Sequence, residues 1–252
     1  MIDLNLNGAI ATLTMSRLPV NAIDLAFVDA FHRALDKVEV ASPTVVVIAS
    51  DQKCFCAGAD LALIRGFFEA ADGAAAMVEY VKSLHTLFDR LESLAAVTLA
   101  VIAGPALGGG LELALSCDLR VASRRATMGL PEARVGMIPG AGGTQRLTRL
   151  AGPGVSARLI LGGEVIDGDE AARLGVVQWA VDAADLSATV EGIAERIAGL
   201  SQQALLASKD CIAAWFLPGV DGFARELEKP LALMETDEAR DRVSSFFAHR
   251  SA

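Results

Sequence analysis

The stretch GPALGGGLELALSCDLRVAS, residues 104–123, decides how the rest of the chain is read. It holds the end of an uncharged run, residues 93–111, which is followed at once by Glu112 and then by Leu113, Ala114 and Leu115. A run of this length comes close to the ~20 residues of a membrane-crossing helix. Gly104, Pro105, Gly108, Gly109 and Gly110 interrupt it, however, and no basic flank follows. A buried strand (VTLAVIAG, residues 97–104) that turns tightly into a short buried helix accounts for it better. An ionised carboxylate in such surroundings costs on the order of several kcal/mol unless it is paired, or else its pKa moves. Two explanations for Glu112 stand open. The glycines could serve close packing alone, with Glu112 answering the dipole of the helix it begins. Alternatively, the strand–glycine–helix passage gathers unpaired backbone N–H groups where an anion, or an oxygen turning negative during a reaction, would sit.

Working outward, MIDLNLNGAIATLTM alternates polar and apolar residues with an acid at position 3, the mark of a strand rather than of a secretory leader, and residues 9–15 form its regular part. Residues 22–39 put Leu25, Val28, Phe31, His32 and Leu35 on one helical face, with Asp24 as N-cap. TVVVIAS (residues 44–50) is the β-branched run of a strand covered on both faces, and the glycine-punctuated loop FCAGADL follows. A helix is expected over residues 73–94, short strands over 119–123 and 127–130, and a last strand over 176–181. Beyond Leu186 the pattern is helical only. The alternation predicts an α/β core over residues 1–185 and a helical region over 186–252 that closes the core or serves assembly.

Composition narrows the function. The 252 residues carry a net charge of −9, which argues against nucleic acid as a partner, since phosphate contacts need a basic surface. An anionic ligand must then rely on a local basic cluster or on backbone N–H groups. Cys54 and Cys56 form C-x-C, while Cys117, Cys211 and the three histidines are scattered. No metal site or disulfide is expected, and the reading is a reduced, cytoplasmic protein. Neither FCAGADL nor PGAGGTQRL meets the G-x-G-x-x-G dinucleotide pattern, as Gln145 stands where the last glycine would fall. No phosphate loop ending in G-K-[ST] is present either.

A third segment, LPEARVGMIPGAGGTQRL (residues 130–147), places Glu132 after Pro131 at the end of a short strand. The chain leaves Glu112 along a helix, returns by one strand and reverses again. Such a path can set the two glutamates across one small cavity, an arrangement suited to general acid and base work. Taken singly, either glutamate is more often a surface or capping residue than a catalyst.

In order and spacing, FCAGADL, GPALGGGLELALSCDLRVAS and LPEARVGMIPGAGGTQRL together resemble the enoyl-CoA hydratase/isomerase (crotonase) family. RLPVNAID (residues 17–24) and ARLGVVQWAV (residues 172–181) match in kind, so the resemblance covers nearly the whole chain. It implies an α/β fold of crotonase type: a ββα spiral core with a C-terminal helical region used in trimer formation, often as a dimer of trimers. It implies an acyl-CoA substrate and no separate cofactor, coenzyme A entering as part of that substrate, with neither nucleic acid nor membrane as partner.

By the same resemblance, the backbone N–H groups of Ala59 and Gly109 hold the thioester oxygen, a contribution of roughly 3–4 kcal/mol per donor in other acyl enzymes. Glu112 and Glu132 would hydrate a 2-trans-enoyl-CoA to the 3-hydroxyacyl-CoA, Glu112 as base for the water and Glu132 as proton donor to C2. Ala57, Asp60, Leu61, Ala62, Gly108, Pro131 and Gly140 would contact substrate, and Ala22 and Ile23 would lie beside the CoA moiety. Ala62 stands where the family often carries Lys, Val97 where Pro is common, Ala103 for Asn and Arg242 where Gly is frequent. Arg250, in FFAHR, would reach the CoA of a neighbouring subunit. An isomerase that shifts a 3-enoyl double bond, a hydratase for an unusual acyl group, and a non-catalytic binding protein on the same scaffold are the alternatives.

Overall fold

The computed structural model describes residues 1–248, so Arg250 lies outside the described residues. The N-terminal alternation forms a hairpin, β1 (Ile2–Asn7) and β2 (Ile10–Met15), closed at Gly8, whose φ of 58° suits glycine. Asp24 caps α1 (Leu25–Ala41), accepting the Phe27 N–H at 2.8 Å. The buried stripe of α1 is Phe27, Val28, Phe31, Ala34, Leu35 and Val38. Leu25 is instead exposed and His32 half-buried, because the buried stripe runs through Phe27 and Ala34 rather than through Leu25 and His32.

Then follow β3 (Val45–Ser50), α2 (Leu61–Glu69), α3 (Gly73–Glu92), β4 (Val97–Ile102), β5 (Ala106–Leu107), α4 (Gly109–Leu115), β6 (Leu119–Ser123) and β7 (Thr127–Gly129). A single 3-10 turn (Glu132–Val135) leads to α5 (Gly143–Ser156), β8 (Val165–Asp167), α6 (Gly168–Arg173), β9 (Trp179–Val181) and α7 (Leu186–Ala198). The last strand is shorter than the apolar run 176–181. Val176 turns back to donate its N–H to Ala171 at 2.8 Å, and its carbonyl accepts from buried Arg120, so neither group is free for a ladder.

Six strands make one sheet in the order β1-β2-β3-β4-β6-β9, parallel except for the first hairpin, and β5-β7-β8 make a smaller one. Val45–Ile48 of β3 and most of β4 are buried, as the β-branched runs require when a sheet is covered on both faces. Because β3 and β4 are parallel neighbours, the loops that leave them emerge at the same end of the sheet. That end carries the site.

The chain divides into two compact units, Met1–Glu195 and Arg196–Ala252. The second holds α8 (Gln202–Ala214), α9 (Gly222–Met234) and α10 (Asp237–Ala248), with Ser201 and Asp221 capping α8 and α9. Within this unit Trp215, Phe223, Leu227, Leu231 and Met234 are all exposed. Among the described residues no helix is long and apolar enough to cross a membrane.

Candidate active site

Two loops are stitched together first. Pro105 accepts the Phe55 N–H at 2.9 Å, and Cys56 accepts the Leu107 N–H at 3.0 Å. On the other side, Ile23 donates to Gly58 and accepts from Asp60, each at 2.8 Å. Buried Asn21, at a φ of 51°, pins the turn by donating to Ser50 Oγ at 2.7 Å and to the Phe55 carbonyl at 3.0 Å. Gly58 has a φ of 95°, and a Cβ there would fall 2.8 Å from the Leu107 oxygen and 3.1 Å from the Gly109 nitrogen. Only glycine lets the loops approach so closely. A Cβ on Gly109 would in turn lie 3.5 Å from the Ala59 nitrogen, so the two backbone donors are neighbours. Among the described residues neither the Ala59 nor the Gly109 N–H has an acceptor.

Glu112 stands in the first turn of α4, 2 % exposed. Its Oε1 accepts the N–H groups of Ala141 and Gly143, both at 2.8 Å. Burial pushes its pKa up and the Glu132 charge adds to this; the Gly143 and Ala141 N–H groups and Arg146 pull the other way, leaving it at about 7. Glu132 opens the 3-10 turn after Pro131. Its Oε2 is buried without a partner, and burial raises its pKa as well. Its Oε1 lies 2.8 Å from where a Cβ on Gly108 would be.

Both acids face one cavity of about 280 Å³. Of the residues expected from sequence, Ala57, Ala59, Leu61, Gly108, Gly109, Glu112, Pro131, Glu132 and Gly140 line it, and Ala22, Ile23, Asp60 and Ala62 do not. Ile23 is wholly buried behind Ala59. Asp60 caps α2 by accepting the Ala62 N–H at 2.9 Å and meets Arg17 at 3.1 Å. Burial raises the Asp60 pKa, but the Ala62 N–H and Arg17 outweigh it and hold the carboxyl below its usual range. Arg17 also binds the Ala22 carbonyl and pairs with Asp24 at 2.6 Å.

Sequence reasoning missed Asn21, Arg17, Tyr80 and Arg146. Tyr80 forms part of the apolar wall with Ile64, Met77 and Leu84 and donates its hydroxyl to the Ile23 carbonyl at 2.8 Å. Its only signal was that the chain has a single tyrosine. Among the described residues no three His, Cys, Asp or Glu side chains are gathered as a metal would need, and none of the four cysteines is in a disulfide.

Residues 5–246 match the enoyl-CoA hydratase/isomerase family. The chain belongs to that family. A short-chain-enoyl-CoA hydratase of Clostridium acetobutylicum is 33 % identical over 253 residues, covering 99 % of this chain and 95 % of that protein. A solved enoyl-CoA hydratase from Bacillus anthracis has a TM-score of 0.91 at 30 % identity, covering 98 % of this chain and 96 % of the other. DspI of Pseudomonas aeruginosa has a TM-score of 0.90 at 32 % identity, covering 98 % and 94 %. The α/β core of crotonase type followed by C-terminal helices, expected from the resemblance, is thus the fold of this chain.

Proposed function

We propose that the protein is an enoyl-CoA hydratase, adding water across the 2,3-double bond of a trans-enoyl-CoA. The observation that carries this reading is the pair of carboxyls, buried Glu112 and half-buried Glu132, facing one cavity beside two backbone N–H groups without acceptors. The thioester oxygen would accept from Ala59 and Gly109, so that negative charge passing onto it as the enolate forms meets donors already in place. Ionised Glu112 takes a proton from water while the water oxygen bonds to C3. Protonated Glu132 gives its proton to C2 as the double-bond electrons, held meanwhile as the enolate, close onto that carbon. The acids then exchange a proton to reset. Glu112, at about 7, is partly ionised near neutrality, and burial keeps Glu132 protonated to a higher pH than a free carboxyl.

No cofactor enters this scheme, and coenzyme A arrives as part of the substrate. The small, apolar-walled cavity suits a short acyl group, as does the name of the Clostridium acetobutylicum relative. We further assign the exposed apolar residues of α9, together with Trp215, to contacts between copies in a trimer or dimer of trimers of a cytoplasmic protein. Light scattering tests the assembly.

The activity is tested by following loss of the conjugated thioester absorbance with 2-enoyl-CoA substrates of graded length. Crotonyl-CoA should be hydrated fastest. Consumption of a 3-enoyl-CoA with no hydration would replace this reading by isomerisation. Tight acyl-CoA binding in calorimetry, with no turnover of any enoyl-CoA, would leave a binding protein.

A further inference from the structure

We propose that Arg146 is the positioning residue for Glu112, clamped by Asp89 and Glu92 of α3 and holding the segment 140–143 whose N–H groups grip that carboxylate. Arg146 lies in the first turns of α5, and its side chain is 8 % exposed. Each arm of the guanidinium has its own acceptor. Nη1 donates to the Ala141 carbonyl at 3.0 Å, Nε to Glu92 at 2.8 Å and Nη2 to Asp89 at 2.5 Å. Four residues before Asp89, His85 Nε2 meets the Gly140 carbonyl at 2.7 Å; a carbonyl only accepts, so this nitrogen carries the proton. His85, Asp89 and Glu92 follow the spacing of one helix face.

One strip of α3 therefore holds the carbonyl side of residues 140 and 141. From the same segment the N–H groups of Ala141 and Gly143 both point to Glu112 Oε1. The segment turns at Gly142, whose φ of 103° a side chain would resist. A fork with three acceptors fixes the loop in a way a point charge could not.

Charge follows the same route. The charged groups acting on Glu112 are Glu132 across the cavity and Arg146 behind the loop, while Glu112 in turn raises the pKa of the Tyr80 hydroxyl in the wall. Arg146 favours the ionised form of Glu112. Asp89 and Glu92, both substantially exposed, temper the cation from the far side, with His85 on the same face. Removing the cation and removing its two counter-charges should thus move Glu112 in opposite directions. A residue that merely supports the fold would not produce opposite signs.

The kinetic arm of the test rests on the hydratase reading; the infrared arm does not. The Glu112 carboxyl band is identified by its loss in Glu112→Gln and titrated by infrared difference spectroscopy in wild type, Arg146→Met, Arg146→Lys and the double variant Asp89→Asn/Glu92→Gln. In Arg146→Met the midpoint should rise by about half a pH unit or more, and in the double variant it should fall. Arg146→Lys keeps the charge, so its midpoint should stay near wild type. With crotonyl-CoA, Arg146→Met should lose about tenfold or more in kcat with KM changed less than about threefold, and Arg146→Lys should recover only part of it. The acidic limb of kcat/KM should move with the band.

An unmoved midpoint in Arg146→Met, or shifts of the same sign in it and in the double variant, would overturn the proposal. If Arg146→Met does not fold, the direction of shift in the double variant decides alone. If wild type hydrates no enoyl-CoA, the hydratase reading fails while the infrared midpoints still judge this one.

Discussion

Glu112 and Glu132 reach the same cavity from two kinds of support. Glu112 stands on a regular helix and gives one oxygen to two N–H donors, with an arginine behind them. Glu132 stands on a single 3-10 turn, and one of its oxygens is buried with no partner at all. Donors aimed at a carboxyl favour its ionised form, while burial without donors favours the neutral acid. In the proposed hydration Glu112 would accept the proton and Glu132 would give one, although a backbone N–H also opposes burial at Glu132. Burial raises both pKa values, so the difference lies in what opposes it.

The largest effect expected is on turnover. Glu112→Gln and Glu132→Gln should each lower kcat for crotonyl-CoA by about 10²–10⁴-fold, the range for a lost acid or base. If both proton transfers belong to one addition of water, as proposed, the double variant should be little worse than the worse single one. A Glu132→Gln protein that keeps most of its kcat would break the comparison, leaving the unpartnered carboxyl outside the chemistry. Fully additive losses would show that the two act in separate steps.

The contrast between these two acids also shows where sequence stops being legible. The three glycines ahead of a carboxylate in an uncharged run announce a close approach, and they lie where the loops after β3 and β4 meet. Glu132 could be paired with Glu112 because strand reversals between them are short. By contrast, α2 has no counterpart in the sequence reading, which ends the FCAGADL loop at Leu61 and starts the next helix at residue 73, with Asp60, the cap of α2, expected as a substrate contact. The face of α1 was set too early, at Leu25, for want of knowing which side meets the sheet. Arg146 reaches Asp89 and Glu92 across 57 and 54 positions of sequence, and no local pattern carries such a link. What holds a catalytic group is mostly distant in sequence; what lets a ligand approach is mostly local.

A second, smaller effect concerns stability. The Glu112 pKa stands at about 7 in the fold against 4.5 ordinarily, so between those values the folded chain keeps a proton that the unfolded chain has lost. The stability this represents is fully present below pH 4.5 and is lost as pH rises through 7, in total roughly 3 kcal/mol. Glu112→Gln lacks the titration but keeps an acceptor for the Ala141 and Gly143 N–H groups. In urea unfolding it should be more stable than wild type at pH 8, with the difference shrinking to nothing toward pH 4. Glu132→Gln should change in the same direction. Parallel curves for wild type and Glu112→Gln would mean that burial of Glu112 is not costing the fold anything.

The smallest effect sharpens the comparison most, because it moves each acid separately. A Cβ on Gly143 would fall 2.9 Å from Glu112 Oε1 and 3.0 Å from its Cγ, whereas one on Gly108 would meet Glu132 Oε1 at 2.8 Å. Glu112 has nowhere to go, since the N–H that binds it belongs to Gly143 itself. Glu132, with an oxygen bound to nothing, can swing aside. Gly143→Ala should therefore lower kcat by about tenfold and Gly108→Ala by only about threefold, as misplacement costs most where the group is held. The order reverses in thermal unfolding: Gly108 sits at a φ of 52°, so its alanine variant should lose about 1–2 kcal/mol more than the side-chain contact alone would cost. Equal losses of kcat in the two variants would show that the donors on Glu112 do not fix it in place, and the distinction between the two carboxyls would reduce to their burial.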